Sequence, residues 1–484
     1  MKMIGQKTLH HSLDQSQTHR FQAISIAVLL FMLVMLPTVA MGQGDFTDDE
    51  RIAFSEINQR RVRATIAFLS SDEMAGRDTP SPELTIASRY VASRFEGAGL
   101  VGCGKDESFF QPSRIATVTI PQTGFAISAD GKPIKQYGLL GAGREKFEYS
   151  GKIEFVGADE SFSDREFETP VAMAVAEMDG PRAESKVIRR AQSLKRKGAT
   201  AVLLIVDSAE NRLIARANQT SRPRIINPRE RLAYPTVVVG EFDKEAEYQV
   251  SIPAMQFGES EVRNVIGMIK GSDEELSKQA IIISAHLDHI GQQSGLPDPV
   301  FNGADDNATG VTGVLSLADA FGALKTKPKR TVIFMTFWGE EKGLLGAKYY
   351  AAHPLWPLDK TVANINIEML GRPEPGAAGK AWMTGWNQSD LGPLMQAGSR
   401  QIGVDIFEHP QFSKMLYRAS DNAAFVDRGV IGHSLSAGSL HKDYHQPGDE
   451  WDRLDLKHMT KVIQGLFAGS LPLAKGEVTP KKTK

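Results

Sequence analysis

An apolar run that ends in imidazoles and a carboxylate, Ala280-Ile-Ile-Ile-Ser-Ala-His-Leu-Asp-His289, is the most informative stretch of this 484-residue sequence. Residues 280–285 lack helical spacing and predict a buried strand. Ligand sites of open α/β sheets form outside the carboxyl ends of strands. The polar residues that directly follow this strand are therefore candidates for a functional site.

The sequence that follows alternates strands and helices. Thr331 to Phe337 and Val362 to Ile367 predict further buried strands, whereas residues 309–323 and 343–352 predict helices. An amphipathic helix is predicted over 456–474. Alternation of this kind predicts an α/β fold with a mostly parallel mixed sheet that is flanked by helices.

The earlier part of the chain has a different pattern. Helical periodicity extends from Asp48 to Phe68, and a second helix is predicted from Pro82 to Glu96. The sequence from about 115 to 160 is rich in Val, Ile, Gly and Thr and predicts short strands and turns. A strand, a basic helix and a second strand, which predict a small βαβ module, lie at 171–176, 184–197 and 201–206.

The composition excludes several classes of protein. Hydrophobic residues make up 41% and charged residues 24%, which is typical of a soluble globular protein. Because 56 basic residues balance 58 acidic ones, no overall field favours a nucleic-acid partner. The single cysteine, Cys103, excludes an internal disulfide, a zinc ribbon and an iron–sulfur cluster. Any metal site must therefore use histidines and carboxylates.

The beginning of the sequence has the features of a targeting segment. Basic residues such as Lys2 and Arg20 precede an apolar run from Ala23 to Leu36, and small residues follow up to Gly42. This order predicts a signal peptide or signal anchor over 1–42. We expect a bacterial protein that is exported to the periplasm or the extracellular space, or is membrane-anchored. Membrane contact is expected only if this segment stays uncleaved.

Acidic residues and histidines gather where predicted strands end and helices begin. Two imidazoles with several carboxylates form a ligand set that suits Zn²⁺, with Mn²⁺ or Co²⁺ as alternatives. Each pair alone also has a structural interpretation, such as a helix N-cap for Asp305-Asp306 or surface charge for Glu340-Glu341. The residues of this set are His286, Asp288, Asp305, Asp306, Glu340, Glu341, Glu368 and His445.

The order of these motifs resembles that of the co-catalytic zinc aminopeptidases of metallopeptidase family M28. The resemblance covers about 45–120 and 260–475. The N-terminal match is Phe68-Leu-Ser-Ser-Asp-Glu-Met-Ala-Gly-Arg77. The other matching segments are 284–291 (SAHLDHIG), 302–311 (NGADDNATGV), 337–347 (FWGEEKGLLGA), 366–372 (NIEMLGR), 420–422 (SDN) and 441–449 (HKDYHQPGD).

The resemblance implies a site for two zinc ions. His286, Asp306 and Glu368 would bind one zinc ion, and Asp306, Glu341 and His445 would bind the other, with Asp306 as the bridge. Asp305 is the alternative bridge. The family commonly has Asp where this chain has Glu368, and this departure puts substrate specificity in doubt because that ligand also faces the free ammonium of the substrate.

The resemblance also implies three catalytic roles. Glu340 matches the general base that accepts a proton from the attacking water. Asp288 matches the carboxylate that orients the histidine ligand and fixes its tautomer. Tyr444 matches a phenol that in some members of the family donates a hydrogen bond to the tetrahedral oxyanion.

The function that the resemblance implies is that of an exported zinc exopeptidase, an aminopeptidase that acts on peptide substrates. A carboxypeptidase or dipeptidase of the same family is the main alternative. A glutaminyl cyclase with one zinc ion and a non-catalytic M28-like receptor domain are weaker alternatives. A serine hydrolase is excluded because the sequence has no G-x-S-x-G motif. Side-chain preference and oligomeric state are not indicated.

The segment between the two matching parts resembles a protease-associated (PA) domain, an insert that usually limits substrate access. A structural appendage without a binding role is the alternative. The predicted organisation is a signal segment at 1–42, the N-terminal part of the peptidase domain at 45–125, the PA-like insert at 126–255, the catalytic part at 256–475 and a disordered basic tail at 476–484.

Overall fold

The computed structural model describes most of the chain beyond the predicted signal segment, which lies outside the described residues. No helix within the described part is long and apolar enough to cross a bilayer. The described residues are 46–176, 183–207, 212–219, 222–226, 234–293, 296–438 and 440–483.

A ten-stranded mixed sheet organises the larger part of the fold. Its four central strands, which begin with Thr331–Phe337, are mutually parallel. In spatial order the strands are Arg224–Ile225, Phe110–Thr119, Gln256–Ile269, Thr331–Phe337, Ala280–His286, Thr361–Glu368, Gly432–Ser436, Lys380–Met383 and Asp405–Phe407, and Val101–Gly102 pairs with Gln256–Ile269.

Both faces of the central strands are covered, which explains their unbroken apolar sequence. Ile281 and Ile283 belong to a hydrophobic cluster that includes residues of the helix Gly310–Ala323. Ile282 belongs to a separate cluster with residues of the helix Leu345–Ala352. Because successive side chains of a strand point to opposite faces, a strand buried on both sides needs an apolar residue at nearly every position.

Antiparallel strands flank this parallel centre, so the sheet is more mixed than the sequence predicts. Phe110–Thr119 pairs antiparallel with Gln256–Ile269, which in turn pairs antiparallel with Thr331–Phe337. The chain leaves the sheet after Thr119, contributes the short edge strand Arg224–Ile225, and returns at Gln256, directly opposite Thr119. The predicted α/β class is confirmed, and its parallel part is the centre of the sheet.

The helices that the sequence predicts begin and end close to the expected residues, with one exception. The helical pattern from Asp48 to Phe68 forms two helices, because Asn58 interrupts it and accepts a hydrogen bond from the Arg61 backbone N–H as the cap of the second helix. The described α-helices are Asp48–Ser55, Gln59–Leu69, Pro82–Gly97, Ala183–Arg196, Arg212–Gln219, Gly310–Ala323, Leu345–Ala352, Leu391–Arg400, Phe412–Met415, Asn422–Val426 and Leu456–Ala474.

The segment between Thr119 and Gln256 forms two smaller sheets with hydrophobic clusters of their own. The five-stranded sheet contains, in order, Gln136–Gly141, Thr236–Val239, Val202–Ile205, Val171–Ala174 and Glu154–Val156. The four-stranded sheet contains Lys132–Pro133, Ala126–Ala129, Tyr248–Ile252 and Phe147–Gly151. A short two-stranded ladder joins Gly291–Gln292 to Val300–Phe301 in the larger part of the fold.

Because Thr119 and Gln256 are paired in neighbouring antiparallel strands, residues 120–255 can be removed to test whether the rest of the chain folds without them. An Asn-Gly turn in place of 120–255 would close the hairpin between the two strands. We expect the shortened chain to unfold cooperatively when followed by circular dichroism, because the main hydrophobic cluster contains none of the described residues of 120–255. A broad, uncooperative transition would show that the segment and the large sheet form a single folding unit.

The end of the chain, predicted as a disordered tail, lies against the folded core as far as residue 483. The Arg330 guanidinium donates hydrogen bonds to the Val478 carbonyl oxygen at 2.7 Å and to Thr479 Oγ1 at 2.6 Å. The Lys481 backbone N–H donates to Asp390 Oδ1 at 2.6 Å. These contacts use backbone atoms and a distant arginine, which the basic composition of the tail does not reveal.

Candidate functional site

The carboxyl ends of the parallel strands meet at one edge of the sheet and carry the polar residues of the site. His286 and Glu368 are the last residues of two neighbouring parallel strands. Glu340 and Glu341 follow the third strand, and Asp306 lies in the helical turn before the helix that packs on this part of the sheet. The alternation of buried strands and helices thus places residues that are distant in sequence at a common edge.

Asp306 lies between two groups of side chains, one at each of its carboxylate oxygens. Oδ1 is 3.3 Å from His286 Nε2, and this nitrogen is also 3.3 Å from Glu368 Oε2. Oδ2 is 3.0 Å from His445 Nε2, which is 3.3 Å from Glu341 Oε1. The five predicted ligands are therefore brought together in two groups that share Asp306.

A further histidine, to which the sequence assigned no role, joins the second group. His289 Nδ1 is 2.9 Å from Glu341 Oε1, and the His289 ring lies edge-on to the His445 ring with centroids 5.5 Å apart. The H-x-x-H spacing from His286 at the end of the strand is the signal that could have identified it. We call His286, Asp306 and Glu368 the three-residue group, and His289, Asp306, Glu341 and His445 the four-residue group.

The donor atoms of both groups fit zinc. In each group the imidazole nitrogens and carboxylate oxygens lie within 4.8 Å of one another. Zinc bonds of about 2.0–2.2 Å in a tetrahedron place neighbouring donor atoms roughly 3.3–3.6 Å apart. The separations around Asp306 and Glu341, mostly 2.9–3.3 Å, are close to that spacing. A nitrogen and oxygen donor set without thiolates also agrees with the single cysteine of the sequence.

The charges of the two groups depend on one another. Burial alone would raise the pKa of Asp306, but the imidazoles of His286 and His445 hold it below its usual range. Burial acts in the same way on Glu341, yet His289 and His445 lower its pKa to about 2. Both carboxylates are therefore ionised at neutral pH. A bound cation would replace the protons that the imidazoles otherwise supply as counter-charges.

Glu340 is in a different environment from Glu341. It is half-buried, and the loss of solvent raises its pKa well above the usual value, although His286 acts in the opposite direction. Its backbone N–H donates a hydrogen bond to Asp288 Oδ1 at 3.0 Å. A carboxyl group with a raised pKa can accept and return a proton near neutral pH, as a general base must.

The structure gives Asp288 a role that differs in part from the one implied by the resemblance. The backbone carbonyl oxygen of Asp288 is 3.1 Å from His286 Nδ1, whereas the nearer carboxylate oxygen is 3.9 Å away. The carboxylate instead accepts hydrogen bonds from the Glu340 backbone and from Thr79 Oγ1. Asp288 therefore fixes His286 through its main chain and Glu340 through its side chain.

The carboxylate of Glu368, where the family commonly has Asp, is fixed by hydrogen bonds at the distance that the longer glutamate side chain reaches. Oε1 accepts hydrogen bonds from Asn366 Nδ2 at 2.8 Å and from Ser420 Oγ at 2.6 Å. Oε2 accepts one from Asn307 Nδ2 at 2.8 Å and faces His286. Three donors thus fix both carboxylate oxygens at the edge of the three-residue group.

Glu368→Asp is expected to weaken zinc binding, although it restores the residue common in the family. The shorter side chain withdraws both oxygens from Asn366, Ser420 and Asn307 and leaves buried donors unpaired. We expect the affinity of one zinc site to fall roughly 10–100-fold, measured by competition with a chelator. The exposed Glu96→Asp serves as the control. An unchanged affinity would show that the three donors do not position this ligand.

Asp305, the alternative bridge, faces away from the two groups. Its Oδ1 accepts a hydrogen bond from the Gly371 backbone N–H at 2.7 Å, and its Oδ2 is 3.2 Å from His441 Nε2. The Asp449 carboxylate accepts hydrogen bonds from the backbone N–H groups of both Asp305 and Asp306. Asp305, His441 and Asp449 therefore support the loop that presents Asp306.

A buried arginine ties the N-terminal segment to this loop. The Arg77 guanidinium donates hydrogen bonds to the carbonyl oxygens of Leu287 at 3.0 Å, Asn302 at 2.8 Å and Gly303 at 3.0 Å, and also to that of Leu69. Burial lowers the pKa of Arg77 to about 10, so it stays charged at neutral pH. The segment that ends at Arg77 therefore belongs structurally to the site, a role the sequence suggested only through the family motif.

A cavity of about 110 Å³ opens onto the three-residue group and is also lined by Glu340 and Tyr444. The Tyr444 ring stacks on the His445 ring with centroids 4.0 Å apart. None of the described residues that line the cavity is a lysine or an arginine. Its apolar wall is formed by Met369, Trp382, Phe412, Leu416 and Leu440.

The fold and the donor groups agree with the expected zinc metallopeptidase. Residues 264–468 match the family model for peptidase family M28. Residues 264–468 therefore resemble an M28 peptidase domain, and the predicted enzyme class, a zinc metallopeptidase, is confirmed.

Solved aminopeptidases share this fold. The zinc aminopeptidase BSAP from Bacillus subtilis is 17% identical, with a TM-score of 0.55 over 87% of this chain and 96% of that chain. The aminopeptidase from Aneurinibacillus sp. strain AM-1 is 18% identical, with a TM-score of 0.50 over 90% of this chain and 97% of that chain. At this identity the likeness shows a common fold.

Curated relatives are vacuolar membrane proteases of fungi. The protein from Clavispora lusitaniae is 26% identical over 205 residues, which are 42% of this chain and 18% of the relative. The protein from Candida glabrata is 30% identical over 191 residues, which are 39% of this chain and 18% of the relative. The chain thus spans less than a fifth of the length of these two relatives.

These relatives contradict the predicted localisation. The N-terminal segment led us to expect a bacterial protein of the periplasm, the extracellular space or the cell membrane, whereas the curated relatives are eukaryotic proteins of the vacuolar membrane. An N-terminal segment with basic residues followed by an apolar run targets chains for secretion or membrane insertion in bacteria and eukaryotes alike. Such a segment therefore identifies neither the organism nor the compartment.

Proposed function

We propose that this chain is a di-zinc aminopeptidase that removes residues from the amino end of peptides. The observation that carries the proposal is the position of Asp306, with one carboxylate oxygen in each of two donor groups. The cavity beside Asp306 is also lined by Glu340. A shared carboxylate, two imidazole-containing groups and an adjacent base form the constellation that metal-assisted hydrolysis requires.

The chain's own residues would hold the two ions. His286, Asp306 and Glu368 would bind one, and Asp306, Glu341 and His445 would bind the other, as the two groups are arranged around Asp306. Bound zinc supplies a Lewis acid that polarises the scissile carbonyl group and lowers the pKa of water.

Three further residues would carry the proton and the developing charge. Glu340 accepts a proton from the attacking water and returns it to the leaving amine, for which its raised pKa is suited. Asp288 holds the Glu340 backbone in place at 3.0 Å. The Tyr444 hydroxyl, whose pKa is raised by burial and by the nearby carboxylates, stays protonated and donates a hydrogen bond to the oxyanion.

The charge of the cavity favours action at the amino end of a peptide. A free ammonium group would meet the carboxylates of Glu340 and Glu368. A free C-terminal carboxylate would require a cationic partner, and the described lining residues include no lysine or arginine. This difference favours an aminopeptidase over a carboxypeptidase of the same family.

We also propose that the inserted segment is a PA-like domain within a split peptidase domain, with boundaries at 45–125, 126–255 and 256–475. The parallel strands Val171–Ala174 and Val202–Ile205, connected through the helix Ala183–Arg196, support this assignment. Two hydrophobic clusters, whose buried residues other than Ile120 all come from this region, support its folding as a unit.

Metal analysis combined with an activity assay tests the proposed function. We expect about two zinc ions per chain and peptide hydrolysis that is lost on chelation and restored by zinc. A stoichiometry of about one zinc ion would instead favour cyclase-type chemistry, and a metal-free, inert chain would favour the receptor-like alternative. Either result would contradict the di-zinc proposal.

A further inference from the structure

We propose that the two zinc sites differ in coordination: the four-residue group forms a closed site with His289 as an additional ligand, and the three-residue group forms the open site. This inference rests on the proposed function and adds to it a ligand that the family motif does not supply. Zinc sites with four protein ligands are closed, whereas catalytic sites keep a position open for water or substrate.

The distances around Glu341 and Asp306 support four donors that face a common point. Glu341 Oε1 is 2.9 Å from His289 Nδ1 and 3.3 Å from His445 Nε2. Asp306 Oδ2 is 3.0 Å from His445 Nε2 and 3.9 Å from His289 Nδ1. These four separations lie around the edge of roughly 3.3 Å expected for a zinc tetrahedron.

The polar side-chain atoms of His289 lack well-aligned hydrogen bonds. Neither ring nitrogen of His289 has a hydrogen-bond partner among the described residues, and the same holds for Glu341 Oε1. His289 Nδ1 and His445 Nε2 thus both lie within 3.3 Å of Glu341 Oε1, but neither contact has the alignment of a hydrogen bond. Buried polar atoms without partners are costly, and a bound cation would satisfy His289 Nδ1 and Glu341 Oε1 together.

The fold holds the His289 ring in this position. Its backbone N–H donates to the Arg77 carbonyl oxygen at 3.3 Å. Gly303, with φ of 55°, packs against the ring so closely that a β-carbon there would lie 2.5 Å from His289 Cγ. Only glycine at position 303 leaves room for the His289 ring in this conformation. The glycine therefore allows the imidazole to lie beside Glu341.

The lining of the cavity also differs between the three-residue group and the four-residue group. His286, Asp306 and Glu368 all line it, whereas His289, Glu341 and His445 do not. Substrate would therefore approach the group that has fewer protein ligands. The four-residue group would retain its ion more tightly, since it offers one more ligand and three of its four members are absent from the cavity lining.

X-ray absorption spectroscopy at the zinc edge tests this inference on the unaltered protein. Three imidazoles shared by two zinc ions predict an average of about 1.5 imidazoles per zinc ion in the fully loaded protein, and about two in protein loaded with one equivalent. An average of about one imidazole at both loadings would overturn the proposal and show that His289 only borders the site. That result would leave the two-zinc peptidase intact, whereas failure of the protein to bind about two ions would remove the proposed function itself.

A histidine variant gives a second, independent readout. In His289→Ala we expect one of the two zinc affinities, measured by chelator competition, to fall by at least about 10-fold while the other is unchanged, with the average falling to about one imidazole per zinc ion. The exposed His353→Ala is the matched control and should keep both affinities. Two unchanged affinities and an unchanged imidazole count in His289→Ala would overturn the proposal.

Discussion

Glu340→Gln is expected to lower kcat by roughly 10²–10⁴-fold without loss of zinc. The amide keeps the size of the side chain but cannot accept the proton of the attacking water. The backbone of residue 340 should stay in place because its N–H is bound to Asp288. Steady-state kinetics on a peptide substrate, together with zinc analysis of the same sample, measures both quantities.

The control for this variant is Glu274→Gln, an exposed glutamate on the same chain. It should leave both kcat and zinc content unchanged. If Glu340→Gln retained full turnover, Glu340 would not be the base. If it lost turnover together with zinc, the residue would act on the metal groups rather than on the proton.

Asp306→Asn is expected to weaken both zinc sites, because this carboxylate contributes one oxygen to each group. A neutral amide is a poorer ligand than a carboxylate and leaves His286 and His445 without their shared counter-charge. We expect the zinc content to fall from about two ions to about one or fewer, with the three-residue group emptied first and activity lost in parallel. Plasma emission spectroscopy on dialysed protein measures this loss.

Asp305→Asn is the matched comparison, since it changes the neighbouring aspartate in the same chemical way. Its carboxylate binds the Gly371 backbone and lies near His441, on the far side of the loop. We expect a lower Tm but a retained zinc content. If Asp305→Asn lost both ions and Asp306→Asn kept them, the shared ligand would be Asp305 rather than Asp306.

Local sequence pattern was sufficient to predict the elements that bear the site. Thr331–Phe337 and Leu456–Ala474 have the predicted bounds, because buried strands and amphipathic helices leave a direct record in apolar spacing. The pattern from Asp48 to Phe68 concealed a break at Asn58, whose effect depends on a single capping contact. The antiparallel flank of the sheet depends on pairing between distant segments, which local spacing does not encode.

The site was predictable mainly from the order of its motifs. His286, Asp306, Glu341, Glu368 and His445 do come together, although each of them alone could have been surface charge or a core histidine. The position of His289 beside Glu341 and Asp306 required the structure, because it depends on tertiary neighbours. The three donors that hold Glu368 likewise come from separate segments and leave no local signature.

The direction of cleavage tests the central claim most directly. Zinc-loaded protein is incubated with two versions of one peptide, the first with a free amino end and an amidated carboxyl end, the second acetylated at its amino end with a free carboxyl end. Because the cavity offers carboxylates and its described lining offers no lysine or arginine, we expect mass spectrometry to show stepwise loss of residues from the amino end of the first peptide and none from the second. Loss of residues from the carboxyl end of the second peptide, with the first left intact, would contradict the account.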